Sequence, residues 1–415
     1  MERRAMVEPV EGTIKNSAED FVVEEIAKNG RVMEIDRQYT PDDLGMQSSP
    51  GKFSVFVLQK KDWNTVQALK MVARKASRGI KSVGFAGTKD RTSISTQLCS
   101  IFGAEPDRLL SMHMKDMSIN SAWKSDVGIK MGDLLGNRFT ININMLGDAD
   151  EAMRRLDAIS MELGERFPNY FGGQRFGNRG NNVDIGVAML KGDFEAAAMS
   201  FLASPGGETM MEAVEARKRL AEERDFGEAL SYFPKYLKYE LTVIDYLSKY
   251  PGNYANALRK LPRQLFLMFI HSVESYIFNA ELADRIKSGM VEPGRGALMC
   301  KAGVLGFPDL SNTFRAEEGN NEGFELGNLI GYEIEDLTDF ENSMLESMGL
   351  KKEDFKVKGI PELNSKGGRR AYFAPFGGFM YSAASEGTIR MGFSLPSGAY
   401  ATALLNEFVR SEVQA

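Results

Sequence analysis

Cysteine and histidine are nearly absent from this chain: two of each stand among 415 residues, Cys99 and Cys300, His113 and His271. Two cysteines build no disulfide framework, and with only two histidines beside them little is left for a metal site. No Ser–His–Asp or Cys–His arrangement stands out, and both histidines read as structural. Apolar runs are short as well. The longest, residues 265–270, falls far below the roughly 20 residues that span a bilayer. Met1-Glu2-Arg3-Arg4 leads into a polar segment without the apolar core of a signal peptide, which points to a cytoplasmic protein. The phosphate loop, Gly-x-x-x-x-Gly-Lys-Ser/Thr, is missing too. So is a Gly-x-Gly-x-x-Gly placed between a strand and a helix, so dinucleotide binding is unsupported.

What is present is an ordinary globular balance, 43 % apolar and 26 % charged, in a chain long enough for two or three domains. The net charge of −6 argues against a nucleic-acid partner, but its distribution argues for one. Seven basic residues (Lys70, Arg74, Lys75, Arg78, Lys81, Lys89, Arg91) and one acidic residue, Asp90, stand between positions 70 and 91. An acidic chain that is basic around one stretch suits an enzyme acting on a polyanion, although a solvated helix face shows the same run.

Within that stretch, Gly84-Phe85-Ala86-Gly87-Thr88-Lys89-Asp90-Arg91 is the candidate for chemistry. Residues 53–58 read as a strand, and a helix begins near Asn64 with Val66, Leu69, Val72, Ala73 and Ala76 on one face. A short strand ends near Ala86, with glycines at 84 and 87 for a tight turn. This order places Asp90 at a strand end, between two cations that favour its carboxylate form. A solvated β-turn is the alternative. Further strands are read at 21–26, 93–101 and 139–145, where Phe139, Ile141, Ile143 and Met145 alternate. Residues 28–51 read as a loop-rich connection. Asp148 or Asp150 caps a helix with Met153, Leu156, Ile159 and Leu163 as its stripe. The pattern is helical from about 183 to 288, strand-and-loop from 294 to 378, a strand again at 390–395, and helical from 398 to 413.

Asn169-Tyr170-Phe171-Gly172-Gly173-Gln174-Arg175-Phe176-Gly177 could stack on bases and meet phosphate, or be a loop packed on a sheet. Asn137 can pair with the Watson–Crick edge of a uracil, and Phe139 can stack on its face. Phe21 and Phe393 are aromatics of a kind most often found in cores.

Taken together, Lys15 with Phe21, Gly87-Thr88-Lys89-Asp90-Arg91, Gly136-Asn137-x-Phe139, the 169–177 stretch and Phe393-Ser394-Leu395-Pro396-Ser397-Gly398 resemble the TruD family of tRNA pseudouridine synthases. The likeness runs over nearly the whole chain and is closest to its longer, archaeal-type members. It implies an α+β fold: a pseudouridine-synthase catalytic domain with a mixed, largely antiparallel sheet and flanking helices, plus an inserted α/β domain. The catalytic domain would comprise 1–165 with 386–415, and the insertion 166–385. The implied activity is isomerisation of a uridine in tRNA, position 13 by resemblance, without metal or cofactor and with no obligatory protein partner. Asp90 would be catalytic. Lys15, Phe21, Asn137, Phe139 and Phe393 would bind substrate, with Lys15, ahead of Lys89, as the cation nearest Asp90. An RNA-binding or RNA-folding protein on the same scaffold is the alternative function.

Overall fold

A computed structural model describes residues 1–14, 16–317, 322–385 and 387–410, with the backbone alone at Ala149. The chain groups into two compact units. One comprises Arg3–Asn169, Met299–Phe324 and Phe373–Ala415, and the other Met1–Glu2, Tyr170–Leu298 and Glu325–Tyr372. Against the expected boundaries of 166–385, the second unit takes Tyr170–Leu298 and Glu325–Tyr372. Residues 166–169, 299–324 and 373–385 group instead with the first.

In the first unit the strands follow the alternating stretches. They are β1 (Val10–Ile14), β2 (Phe21–Ile26), β3 (Phe53–Lys61), β4 (Val83–Phe85), β5 (Ile94–Phe102), β6 (Met117–Ser125) and β7 (Gly136–Met145). With Gly377–Ser385, Thr388–Pro396 and the short Val409–Arg410 they make a ten-stranded sheet among the described residues. Its spine runs from Gly377–Ser385 through Thr388–Pro396, β7, β2, β5 and β3 to β6. Only β2 with β5 and β1 with Val409–Arg410 run parallel, so the sheet is mixed and largely antiparallel.

Register decides what shares a face, because directly opposed residues of neighbouring strands point the same way. Phe393 opposes Phe139, Phe139 opposes Val23, and Asn137 opposes Glu25. Val23 lies beside Ser95, which opposes Lys60. One face therefore carries Phe21, Glu25, Lys60, Asn137, Phe139 and Phe393 together.

Helix α1 (Thr65–Lys75) covers part of that face, packing Ala68, Leu69, Val72 and Ala73 on Phe56, Leu58, Cys99 and Ile101. Asn64 starts it by accepting from the Val66 and Gln67 amides, the usual service of an N-cap. The 28–51 segment covers the other face, where Met33, Tyr39 and Leu44 pack on Val55, Val57, Leu98 and Trp123. It is a loop in backbone terms and a core element in packing terms.

The second unit is helical from Asn182–Leu190 to Arg263–Lys287, with Phe269, Ile270, Val273 and Ile277 fully enclosed or nearly so. Two departures from expectation have visible causes. A helix, Asp339–Ser347, interrupts the strand-and-loop region, and Thr338 and Glu341 form a capping box at its start. That Thr-x-x-Glu spacing was legible in the chain. The last helix stops at Phe408, because Val409 turns extended and pairs with Val10 of β1. No helix among the described residues is long and apolar enough to cross a membrane.

Candidate active site

Asp90 sits beyond the end of β4, in a loop that leaves the edge of β5 and crosses the face just described, rather than at a strand end. The two glycines expected to turn the chain do something else. Neither has a positive φ. A Cβ on Gly84 would stand 2.1 Å from the Ile129 carbonyl oxygen, so this glycine permits a close backbone approach. A Cβ on Gly87 would stand 3.3 Å from Lys89 Nζ and 3.8 Å from Glu25 Oε2, so this one leaves room for an ion pair.

That pair is the core of the site. The Lys89 side chain is 3 % exposed and the Glu25 side chain 0 %, with Nζ and Oε2 2.5 Å apart. Lys89 therefore answers Glu25 and is not the flanking cation of Asp90 that its sequence position suggests. Glu25 has a second task. The β2 ladder on β5 reaches Thr96, and the β4 ladder begins at Cys99. The Leu98 amide falls in the gap between them, and Glu25 Oε1 accepts it at 2.9 Å. One carboxylate thus closes a break in the sheet edge and holds the residue before Asp90.

The rest of the loop is tied down just as closely. Thr65 Oγ accepts the Lys89 amide at 2.9 Å and donates to Gln97 Oε1 at 3.0 Å. Gln97 Nε2 in turn donates to the Gly87 carbonyl at 3.2 Å. Lys60 Nζ and Ser93 Oγ each donate to the Asp90 carbonyl at 2.9 Å. Lys60 is fully buried, and burial pushes its ammonium down to about 8, with the Lys89 charge as the next cause.

The aromatic residues expected in the site do meet. Phe139 and Phe393 stack with ring centroids 5.3 Å apart, and the Phe21 ring meets Phe139 edge-on at 6.0 Å. Phe139 is the most accessible at 8 %, against 3 % for Phe21 and 1 % for Phe393. On the same face, Asn137 Oδ1 is buried with no hydrogen-bond partner among the described residues. Such an acceptor awaits a donor. Lys15 lies outside the described residues.

Other candidate residues are accounted for locally. Phe171 of the Asn-Tyr-Phe-Gly stretch carries Arg370 and Arg175 over its ring at 4.1 and 5.0 Å, and Asn279 bonds its backbone on both sides. That is a packed loop, and the Phe171 ring is not open to a base. A cleft of about 1050 Å³ nearby is lined by Phe171, Tyr276, Asp184, Asp193 and Lys191, a charge mixture poorly suited to phosphate. Among the described residues no group of three or more His, Cys, Asp or Glu side chains could hold a metal ion.

The model of the family described as tRNA pseudouridine synthase D (TruD) matches residues 4–408. The chain belongs to the TruD family. Relatives named probable tRNA pseudouridine synthase D include one from Methanococcoides burtonii, 31 % identical over 97 % of this chain and 93 % of its own. Another, from Thermococcus onnurineus, is 34 % identical over 96 % and 95 %. The crystal structure named for tRNA pseudouridine synthase D (TruD) from Methanosarcina mazei superposes with a TM-score of 0.76 at 29 % identity, covering 98 % of this chain and 95 % of that one. The TruD chain is accordingly an isomerase of the pseudouridine-synthase fold, with the mixed sheet and flanking helices expected of it.

Sequence reasoning missed Glu25, Lys60, Thr65 and Gln97, although alternation could have found two of them. Phe56, Leu58 and Lys60 share one phase of β3, and Phe21, Val23 and Glu25 share one phase of β2. A charged residue in phase with a buried apolar series is an inward charge in need of a partner.

Removing one partner of such a pair leaves a buried charge uncompensated, at about 3–5 kcal/mol. Glu25→Gln should lower the unfolding free energy by that amount, read in a urea titration as a lower midpoint with an unchanged slope. Adding Lys89→Met should recover most of the loss. Equal losses in the single and double variants would mean that the pair is not what holds the loop.

Proposed function

We propose that this enzyme isomerises a uridine in tRNA to pseudouridine, at position 13 by family resemblance, with Asp90 as the catalytic group. The observation that carries the reading is the pinned Asp90 loop over a face that also presents an aromatic cluster and an unpartnered amide acceptor. A loop backbone held by the sheet through Glu25, Thr65, Gln97 and Lys60 suits a group that must work at one atom. The alternative of a pure RNA-binding protein leaves that pinning without a purpose.

The target nucleotide leaves its stack at a cost of a few kcal/mol, on the order usual for flipped bases. Asp90 attacks C1′ or removes the 2′ proton, and the N1–C1′ bond breaks. The detached uracil turns and C5 bonds to C1′, displacing Asp90 from that carbon on the first route or with the proton returned to C2′ on the second. C5 loses its proton, N1 gains one, and the product is an isomer of the substrate. Phe139, the most accessible of the three rings, stacks on the base, with Phe393 and Phe21 supporting it from behind and from the edge. Asn137 Oδ1 accepts the N3–H of uracil. By family resemblance Lys15, which lies outside the described residues, would be the cation nearest Asp90.

Asp90→Asn keeps the shape and removes the charge. It should abolish isomerisation, read as tritium release from C5-tritiated uridine in tRNA, while binding stays within several-fold of wild type. Turnover at a tenth of the wild-type rate would exclude Asp90 as the catalytic group.

Base stacking on an aromatic ring contributes about 1–3 kcal/mol by alanine substitution. Phe139→Ala should therefore lose roughly 10- to 100-fold in kcat/KM. It should also lose stability, since emptying a Phe site costs about 3–5 kcal/mol. Phe139→Tyr keeps the ring and should cost far less in activity. Full activity in Phe139→Ala would make Phe139 a core residue only.

Lys70, Arg74, Lys75, Arg78 and Lys81 are all exposed on α1 and the turn after it. Arg78 is partly committed, since its guanidinium bonds the Gly103 carbonyl. Lys70 and Arg74 are therefore the better probes of RNA contact. Reversing both charges should weaken tRNA binding at least about tenfold and reduce the log–log salt slope by about 1–2, given a slope near 0.9 per phosphate contact. Unchanged affinity and slope would mean that this helix faces solvent only.

A further inference from the structure

We infer that Lys60 is a positioning residue for Asp90: its buried ammonium clamps the Asp90 carbonyl and so sets the direction in which the Asp90 side chain leaves the loop. The inference rests on the reading of Asp90 as the catalytic group.

Geometry makes the case. Lys60 is on β3, two strands away from β2 across β5, and opposes Ser95 on one side and Met117 on the other. Its phase turns the side chain to the face that carries the Asp90 loop, where it has no exposure at all. A lysine this deeply buried does not reach solvent or RNA. Among the described residues the only side-chain hydrogen bond of Lys60 is the one to the Asp90 carbonyl at 2.9 Å. Ser93 Oγ donates to the same oxygen at 2.9 Å. Two donors on one carbonyl fix the plane of that peptide, and one of them is charge-assisted. Rotating the peptide would strip a buried ammonium of its partner, which is far costlier than losing a bond to water. The Cα–Cβ direction of Asp90 is therefore held from its own backbone, independently of the Glu25–Lys89 pair that holds the residue before it.

Burying an ammonium for packing alone would be a poor choice, since an apolar side chain of similar length fills the space at lower cost. That makes the substitution informative. Lys60→Met should fold at least as well as wild type and bind tRNA within about threefold. Its single-turnover rate at pH 7.5 should nevertheless fall roughly 10- to 100-fold, a loss of about 1.4–2.8 kcal/mol at the transition state.

A second readout is the pH profile. Burial holds the Lys60 ammonium down at about 8, helped by the Lys89 charge and opposed by Asp90, Cys99 and Asp62. Those are the charged and titratable groups facing it from the loop, from β5 and from the end of β3, and Glu25 on β2 faces it through its hold on Lys89. Below that pH the ammonium is charged and the clamp is complete. Above it the group becomes a neutral amine and the clamp weakens. The wild-type single-turnover rate should therefore step down through about pH 8, and Lys60→Met should lack the step. Should Lys60→Met fail to fold, Ser93→Ala removes the other donor and should slow turnover while leaving the step in place.

Single-turnover isomerisation on one tRNA transcript, at saturating enzyme and from pH 6.5 to 9.5, decides the matter with Asp90→Asn alongside. Wild-type rate in Lys60→Met at pH 7.5, or a wild-type profile without the step, overturns the inference. If Asp90→Asn itself turns over, the catalytic reading fails and the Lys60 inference falls with it. If Asp90→Asn is inactive and Lys60→Met is fast, only the Lys60 inference falls.

Discussion

The buried contact between Glu25 and Lys89 is the constraint on which the candidate site depends. Inside the protein neither charge has water to turn to, so each demands the other, and the geometry that satisfies them is narrow. Lys89 must point into the sheet. Its neighbour Asp90 follows in a chain that Thr65 and Gln97 hold at the Lys89 amide and the Gly87 carbonyl. The same carboxylate of Glu25 accepts the Leu98 amide at the gap between two half-ladders. Loop and sheet edge are therefore fastened by one side chain, and neither can shift without exposing a buried donor.

Register extends this order across the sheet. Nine residues of Thr388–Pro396 pair with Gly136–Asn144 of β7, and β7 pairs with β2 along Phe21–Ile26. Phe393, from the far end of the chain, is thereby set against Phe139, and Phe21 arrives from near its start. A slip of one residue on any of these strands would send its aromatic to the opposite face. Over β3 and β5 the face opposite is filled by the 28–51 segment, with Tyr39 packed on Val55 and Val57.

Successive glutamates on β2 show how finely the face is chosen. Glu24 turns to the other side and meets Arg138, its cross-strand partner on β7, while Glu25 turns inward to Lys89. Composition treats these residues as equals. Their surroundings give one a partly exposed guanidinium and the other a fully enclosed ammonium.

Much of the local structure and of the site inventory was legible in the chain itself. Period-two alternation marked β5 and β7, short apolar runs marked β2 and β3, apolar spacing marked α1, and the motifs around Asp90, Asn137 and Phe139 pointed to the family, because local backbone preference and motif spacing are short-range properties. Tertiary structure alone decided which charges answer one another. Lys89 stands beside Asp90 in the sequence yet pairs with Glu25, 64 positions away, and Lys60 reaches the Asp90 carbonyl across 30. Partner choice of this kind follows from strand order and from the absence of water, and neither is written in the spacing of neighbouring residues.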